Sequence, residues 1–416
     1  MRDTSIASTA REVAPGRVWA TALGLALGPA VALGLARFAY ALLLPAMRTD
    51  LSWSFAQAGT INTANAVGYL VGALLAAPVI ARVGGRRAFL GSLMLTAVAL
   101  TACAASGDFA VLLALRLVAG VAGAVAFIVG ASLATQLAAG ASSARAAVLL
   151  GVYFAGGGLG VAVSGLLIPL VLSATGPGGW RWGWLVLGAL AFAATAAAVP
   201  AARRAPLPSR SSRQTVSTWR ARPVAVTLGA YALFGAGYIA YVTFIIAFLK
   251  GQGAGTFELS GFWVVLGLAA IGSTFAWGPL LARLRGGRGI ALASAVVTLG
   301  AAIPLLSGSI GGAFASAVLF GGSFLAVPTA VTAFARRAHY PHHWTIAIAA
   351  LTVAFALGQC LGPVLAGVLS DGPNGVRAGL TLSVLILAAG ALLAVAQHQR
   401  EPAPITRSAR PPCPTQ

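Results

Sequence analysis

The chain has 416 residues, 59% of them hydrophobic and only 8% charged, with a mean hydropathy of +0.90 and a formal net charge of +20. Soluble domains carry about 25% charged residues, so the composition excludes them. The apolar runs are continuous over roughly twenty residues or more, which excludes the alternating short strands of a membrane barrel and suits spanning helices.

The first run, near 18–44, follows an Arg-bearing segment, 1–17, and exceeds the apolar core of about 7–15 residues that a signal peptide carries. It reads as a retained helix. Within "LARFAYALLLPAM" (35–47) it holds Arg37, with Tyr40 expected on the same face. An arginine at a helix centre in lipid costs roughly 2.5–3.5 kcal/mol on insertion scales, so its presence asks for a function. The second run, 57–81, places Asn62, Asn65 and Tyr69 at i, i+3 and i+7. Such a polar stripe faces a cavity or a partner helix, and Gly68 and Gly72 beside it permit close packing. Runs follow at 87–106, 109–138 with Arg116, 145–172 with Tyr153 and Gly156-Gly157-Gly158, and 180–199. "AARRAPLPSRSSRQTVSTWRAR" (201–222) is basic and Ser/Pro-bearing, the expected linker between two halves. Six more runs lie at 223–249 with Tyr238 and Tyr241, 259–282, 289–306, 310–335, 344–369 with Gln359, and 376–397. The plan is an all-α membrane protein of twelve spans, with bundles over 18–199 and 223–397, a linker over 200–222 and a Pro-rich, disordered tail over 398–416.

The arginines then find their role. With the N-terminus inside, 21 of the 27 Lys and Arg fall in inner segments, and Arg48, Arg181, Lys250 and Arg377 fall outside. This bias puts both termini and the linker in the cytoplasm, at a cytoplasmic (inner) membrane, and makes nucleic acid an unnecessary partner. Cys103, Cys360 and Cys413 lie far apart and imply neither a disulfide framework nor a metal motif.

The halves echo one another. "GLARFAY" (34–40) and "GAGYIAY" (235–241) align at a spacing of 201, as do Pro78 with Pro279 and Arg82 with Arg283. After one inserted residue the spacing is 202, pairing Gly84 with Gly286, Arg86 with Arg288, Gly120 with Gly322, and Gly156, Gly160 and Gly165 with Gly358, Gly362 and Gly367. A parallel duplication of six helices is the plan of the major facilitator transporters. "ARVGGRR" (81–87) and "ARLRGGR" (282–288) resemble the basic turns of that family, through Arg82, Gly84, Arg86 and Arg283. "RLVAG" (116–120) resembles its Arg-x-x-x-Gly pattern on the fourth helix, through Arg116 and Gly120. "GQCLGPVLAG" (358–367), with Gly358, Gly362 and Pro363, resembles its Gly-rich packing motif, here on helix 11. "RFAYALLLPAM" with "NTANAVGYLVGALL" is similar to the YbfB/YjiJ-type branch. The sequence departs from the family at Ala81 and Ala282, where the turn normally has Asp, and in the lack of a Pro after Gly156-Gly157-Gly158.

None of the seven acids, Asp3, Glu12, Asp50, Asp108, Glu258, Asp371 and Glu401, falls within a predicted span. An intramembrane carboxylate, the usual proton carrier, is therefore not expected. The ionisable groups inside are Arg37, Arg116 and tyrosines. Both arginines are expected roughly 10 Å below the outer surface. The resemblance implies that helices 1 and 4 line a central cavity, so Arg37 and Arg116 are expected to bind a carboxylate-bearing substrate, bidentately. Against this stand Arg116 hydrogen-bonded to helix carbonyls and Arg37 snorkelling towards Asp50. Tyr40, Asn62, Asn65, Tyr69, Tyr153, Tyr238, Tyr241 and Gln359 complete the expected binding set. "HYPHHW" (339–344) reads as a solvated turn, and no phosphate loop, catalytic triad or metal spacing is present.

The expectation is a secondary active transporter, not an enzyme, with no cofactor and no metal. Its partners are a small-molecule substrate, the lipid bilayer and protons carried by a carboxylate substrate, and it is expected as a monomer. Efflux of hydrophobic drugs is the nearest alternative, and a non-transporting receptor or scaffold is the alternative from another class.

Overall fold

A computed structural model describes residues 15–206, 224–338 and 343–398. Segment 1–14, most of the linker, His339 and His342 of the histidine turn, and residues 399–416 of the expected tail, Cys413 among them, lie outside the described residues. Among the described residues the chain is helical, with no strand.

Twelve long helices follow in order among the described residues. The first six are α1 (Gly16–Asp50), α2 (Phe55–Val83), α3 (Gly85–Ala102), α4 (Phe109–Ala138), α5 (Ser143–Thr175) and α6 (Trp180–Arg204). The second six are α7 (Ala225–Gly251), α8 (Thr256–Ala276), α9 (Arg288–Leu306), α10 (Ile310–Ala338), α11 (Trp344–Ser370) and α12 (Gly375–Val395). Eleven of the described helices are long and apolar enough to cross a membrane. The twelfth, α3, is 18 residues long and opens on the Arg86-Arg87 pair, which dilutes its hydropathy. Large apolar side chains point outward all round, Leu74, Leu166, Leu361 and Leu392 among them, as lipid requires.

Packing repeats between the halves. Helix α1 lies against α5 and α6 as α7 does against α11 and α12. The contacts α2–α4, α3–α4 and α3–α6 recur as α8–α10, α9–α10 and α9–α12. The halves meet along two related seams, α2 with α11 and α5 with α8. Small residues make these contacts close: Gly156 abuts the Ala26 carbonyl of α1, and Gly358 abuts the Ala232 carbonyl of α7. The paired basic turns share a glycine at positive φ, Gly84 at 82° and Gly286 at 60°, a region that favours glycine, although one residue separates the helices in the first turn and four in the second. Arg86 secures the first turn by donating from Nη2 to the Ala205 carbonyl at 2.9 Å, and Arg337 donates to Leu284 O in the second at 2.8 Å.

Three elements differ from the expectation. The run 259–282 breaks at Trp277, and a short helix, Gly278–Arg283, follows. The run 310–335 is broken at Leu325, between Ile310–Phe324 and Ala326–Ala338. The first run extends well beyond residue 44, through Pro45, to Asp50. Arg37 therefore lies 13 residues from that end, roughly 20 Å along the helix and not the roughly 10 Å expected from an end at residue 44.

Candidate functional site

The site begins with an irregularity in α1. From Ala30 to Phe38 the helix is a π-helix, and its exit is marked by Ala39 N donating to Gly34 O, five residues back. A wider turn advances each residue by less than the about 100° of an α-helix, so i and i+3 no longer share a face. This corrects the expected pairing of Arg37 with Tyr40. Arg37 turns to the seam between the halves. Tyr40 turns into the N-terminal half, where its hydroxyl donates to Ala58 O at 2.9 Å and its ring stacks on Trp184.

Arg37 is 4% exposed. Its Nη2 donates to Gln359 Oε1 on α11, engaging one of the guanidinium's five N–H donors. Its buried Nε has no partner, and no carboxylate pairs with it among the described residues. The guanidinium also lies over the Tyr69 ring of α2, 5.0 Å from its centroid. Gln359 in turn donates from Nε2 to the Tyr238 hydroxyl on α7 at 2.9 Å. Tyr238 is the repeat counterpart of Arg37. One amide thus bridges the two related positions, its oxygen towards the charge and its nitrogen towards the phenol.

Arg116 sits elsewhere. It is 0% exposed, and Nη1 donates to Ala36 O at 2.5 Å while Tyr40 and Trp184 rings flank it, each centroid 5.3 Å away. The two arginines therefore do not share one open space: Arg116 faces a main-chain carbonyl and aromatic walls inside the N-terminal half. Its Nε and Nη2 and the neighbouring Trp184 Nε1 have no partner among the described residues.

The stripe on α2 splits by partner. Asn62 Nδ2 donates to Thr243 Oγ1 of α7 at 2.6 Å, across the halves, and Asn65 Nδ2 donates to Arg116 O of α4 at 3.2 Å. Tyr69, half-buried, is the member left beside Arg37. Tyr153 donates to Phe127 O, and Tyr241 pairs with Ser316 Oγ, each within its own half and away from Arg37. Of the expected set, Arg37, Tyr69, Tyr238 and Gln359 come together. Gly120 packs beneath Asn65 O, Gly362 beneath Ala236 O, and Pro363 O touches Gly59. Arg82 and Arg283 are exposed at the basic end.

Several participants were not read from the sequence. Phe355 of α11 stacks on Tyr231 and Tyr238, Phe324 of α10 stacks on Tyr238, and Phe234 joins them. The spacing Tyr231, Phe234, Tyr238 (i, i+3, i+7) was the available signal. Asp371, at the end of α11, accepts from Phe55 N at 2.7 Å and Ala56 N at 3.0 Å, clasping the start of α2. Thr63 Oγ1 to Cys360 O and Ser260 Oγ to Gly165 O add cross-half bonds on the two seams. The four described acids, Asp50, Asp108, Glu258 and Asp371, all sit in helix ends or caps at this same end.

A family model described as "uncharacterised MFS-type transporter YbfB" matches residues 29–397. Among solved structures, a point mutant of the nucleoside transporter NupG is similar with a TM-score of 0.70 at 15% identity, over 90% of this chain and 98% of that one. A bacterial homologue of the human lysosomal transporter Spinster, inward-facing and unoccupied, is similar with a TM-score of 0.67 at 17% identity, over 92% and 97%. The same homologue in its inward-facing and occupied form scores 0.68 at 16% identity, over 91% and 95%. A comparison with curated proteins finds no match.

Proposed function

The chain belongs to the YbfB-type family of major facilitator transporters, and on that premise we propose that it carries a small carboxylate-bearing solute across the cytoplasmic membrane, with Arg37 as the anion-binding group. It is a multi-pass membrane transporter and not an enzyme. One observation carries the reading of the substrate: a deeply placed guanidinium at the seam of two halves, with a neutral amide as its hydrogen-bond partner and, among the described residues, no carboxylate to neutralise it. A buried, uncompensated charge is expensive, and an anionic ligand would relieve that cost. Guanidinium recognises carboxylate bidentately, and Arg37 has uncommitted donors for it. Tyr69, Gln359 and Tyr238 shape the site around the charge. Arg116 acts at one remove, by holding the π-helical turn from which Arg37 projects.

The places where the halves are joined support alternating access. The clasp of Asp371 on α2, the Asn62–Thr243 bond and the Arg37–Gln359 bond lie within roughly 20 Å, along the helices, of the acidic end. This supports a state closed at that end, and rocking of the halves would open it. The Lys/Arg bias supports both termini in the cytoplasm, which makes the acidic end the outer one. A carboxylate substrate can bring its own proton, so an acidic outer medium should drive uptake without a membrane acid.

A thermal-shift screen of purified protein against carboxylates, sugars, amino acids and hydrophobic drugs tests the reading. Stabilisation by a carboxylate that disappears in Arg37→Gln is the expected result, since a ligand at a hundred times its Kd adds about 2.7 kcal/mol. Stabilisation by drugs alone, undiminished in Arg37→Gln, would replace the anion reading with efflux.

A further inference from the structure

Behind the Arg37–Gln359 contact the C-terminal half presents a wall that a simple aliphatic acid does not call for. Tyr231, Phe234 and Tyr238 share one face of α7, and Phe355 and Phe324 join them from α11 and α10. The rings lie almost parallel. Tyr238 is 5.5 Å from Phe355 at 9°, 5.2 Å from Phe234 at 11° and 6.2 Å from Phe324 at 12°. Phe355 is 4.5 Å from Tyr231 at 13°. Aromatic pairs adopt edge-to-face as well as offset-stacked arrangements, so a set this parallel gives the whole wall one ring orientation. Phe38, next to Arg37, closes one side with an edge-on contact to Phe324 at 6.0 Å and 89°.

The opposite wall is aromatic too. Tyr69 lies under the Arg37 guanidinium and 6.3 Å from Phe127. Phe355, Tyr69 and Phe127 are only half-buried, whereas Tyr231, Tyr238 and Phe324 are buried. Tyr69, the ring against the charge, and Phe355, the ring next to the Tyr238 that Gln359 holds, are thus among the members of the two walls left partly uncovered.

We propose that this seam selects a planar aromatic carboxylate, its ring extending the parallel stack on Phe355 and its carboxylate taking the Arg37 donors in place of Gln359. The proposal rests on the carboxylate reading above and narrows it to a substrate class. Gln359 suits the exchange, because its amide nitrogen stays held by Tyr238 when its oxygen gives up Arg37. A saturated ring of the same size has no π-face for the wall to stack on, and an aromatic amide has no charge for Arg37.

The test is isothermal titration of the purified full-length protein with three probes: benzoate, cyclohexanecarboxylate and benzamide. Benzoate should bind at least tenfold more tightly than either other compound. Phe355→Leu should cut the preference for benzoate over cyclohexanecarboxylate to about twofold or less. Equal binding of benzoate and cyclohexanecarboxylate by the wild-type protein would overturn the aromatic proposal and leave the carboxylate reading standing. Equal binding of benzoate and benzamide would overturn the carboxylate reading, and with it the proposal. Binding of none of the three would overturn the proposal outright. These outcomes are read on wild-type protein and do not depend on a variant that folds.

Discussion

The two halves descend from one pattern yet hold different chemistry. At one related position the N-terminal half has Arg37 and the C-terminal half has Tyr238. At the next related position both have tyrosine, and here too the partners differ. Tyr40 donates to a main-chain carbonyl and flanks a second arginine, whereas Tyr241 pairs with Ser316 beside Phe320. The N-terminal half thus holds the two buried cations, and the C-terminal half the stacked rings. Gln359 is where they meet. The difference teaches that a repeat keeps its helix contacts while its seam-facing side chains are free to diverge, because each half sees a different partner across the seam.

The largest effect should come from what the halves share. A Cβ at Gly156 would run into Ala26 O, and one at Gly358 into Ala232 O, both main-chain atoms that cannot move aside. Overpacking a well-filled contact costs about 1–3 kcal/mol or more, and a leucine here must push the facing helices apart. Gly156→Leu and Gly358→Leu should each lower the yield of monodisperse protein in size-exclusion chromatography at least tenfold. Gly91→Leu, where a Cβ meets nothing within 4 Å, should leave it unchanged. If only one of the two equivalent glycines proved sensitive, the packing symmetry would not extend to the energetics.

Next in size comes the division between the two arginines. Arg37→Gln should lower kcat/KM for the substrate about 100-fold, which corresponds to about 2.7 kcal/mol. Thermal stability of the ligand-free protein should hold or rise, since an unneutralised buried charge is removed. Arg116→Leu should do the reverse. The apparent KM should rise only about threefold, through the loosened turn beside Arg37, while the melting temperature should fall as Ala36 O loses its donor and the space between Tyr40 and Trp184 is refilled imperfectly. A large KM effect at Arg116 would return it to the binding site and weaken that contrast.

Much of this arrangement was legible beforehand, for physical reasons. Lipid demands long apolar helices, so all twelve could be read from run length, and duplication left glycines in register because close helix contacts tolerate nothing larger. Arg37 stood out because charge is costly in lipid. What could not be read was direction. The π-helical turn at Ala30–Phe38 leaves no composition signal, and it separates Arg37 from Tyr40 against the α-helical expectation. The two arginines looked equivalent by depth estimated from run ends, but α1 runs on through Pro45 to Asp50 and carries Arg37 deeper. Phe355 and Phe324 were hidden for the opposite reason: in an apolar chain a phenylalanine is ordinary until its ring plane is known.

A smaller effect isolates the C-terminal contribution to the bridge. Tyr238→Phe keeps the ring in the stack and removes only the hydroxyl that accepts from Gln359 Nε2. A neutral hydrogen bond is worth about 1 kcal/mol, so KM should rise about fivefold. Gln359→Leu, which removes both ends of the bridge, should not be worse than the sum of its parts in a double-mutant cycle with Tyr238→Phe. A KM unchanged by Tyr238→Phe would mean that Gln359 is held by Arg37 alone.

The smallest change tests the clasp that keeps the halves together at the acidic end. Asp371 is an exposed carboxylate accepting two main-chain N–H bonds from the first turn of α2, which also favours negative charge there. Asp371→Asn keeps the shape and one acceptor oxygen but loses the charge. The exposed setting screens the interaction, so the penalty should be about 0.5–1 kcal/mol, about a twofold to fivefold shift in the balance of the two end states. A single cysteine introduced at Gly59, which lies against Pro363 O behind the clasp, would itself disturb the seam. Reporters belong on half-buried Thr60, whose hydroxyl bonds only the Ala56 carbonyl of its own helix, where labelling by a membrane-impermeant maleimide should speed up about threefold in the Asp371→Asn background. Intrinsic affinity for the substrate should not change, because Asp371 bonds the first turn of α2 and neither Arg37 nor Gln359. Unchanged labelling would mean that helix packing along α2 and α11, and not this carboxylate, holds the end shut.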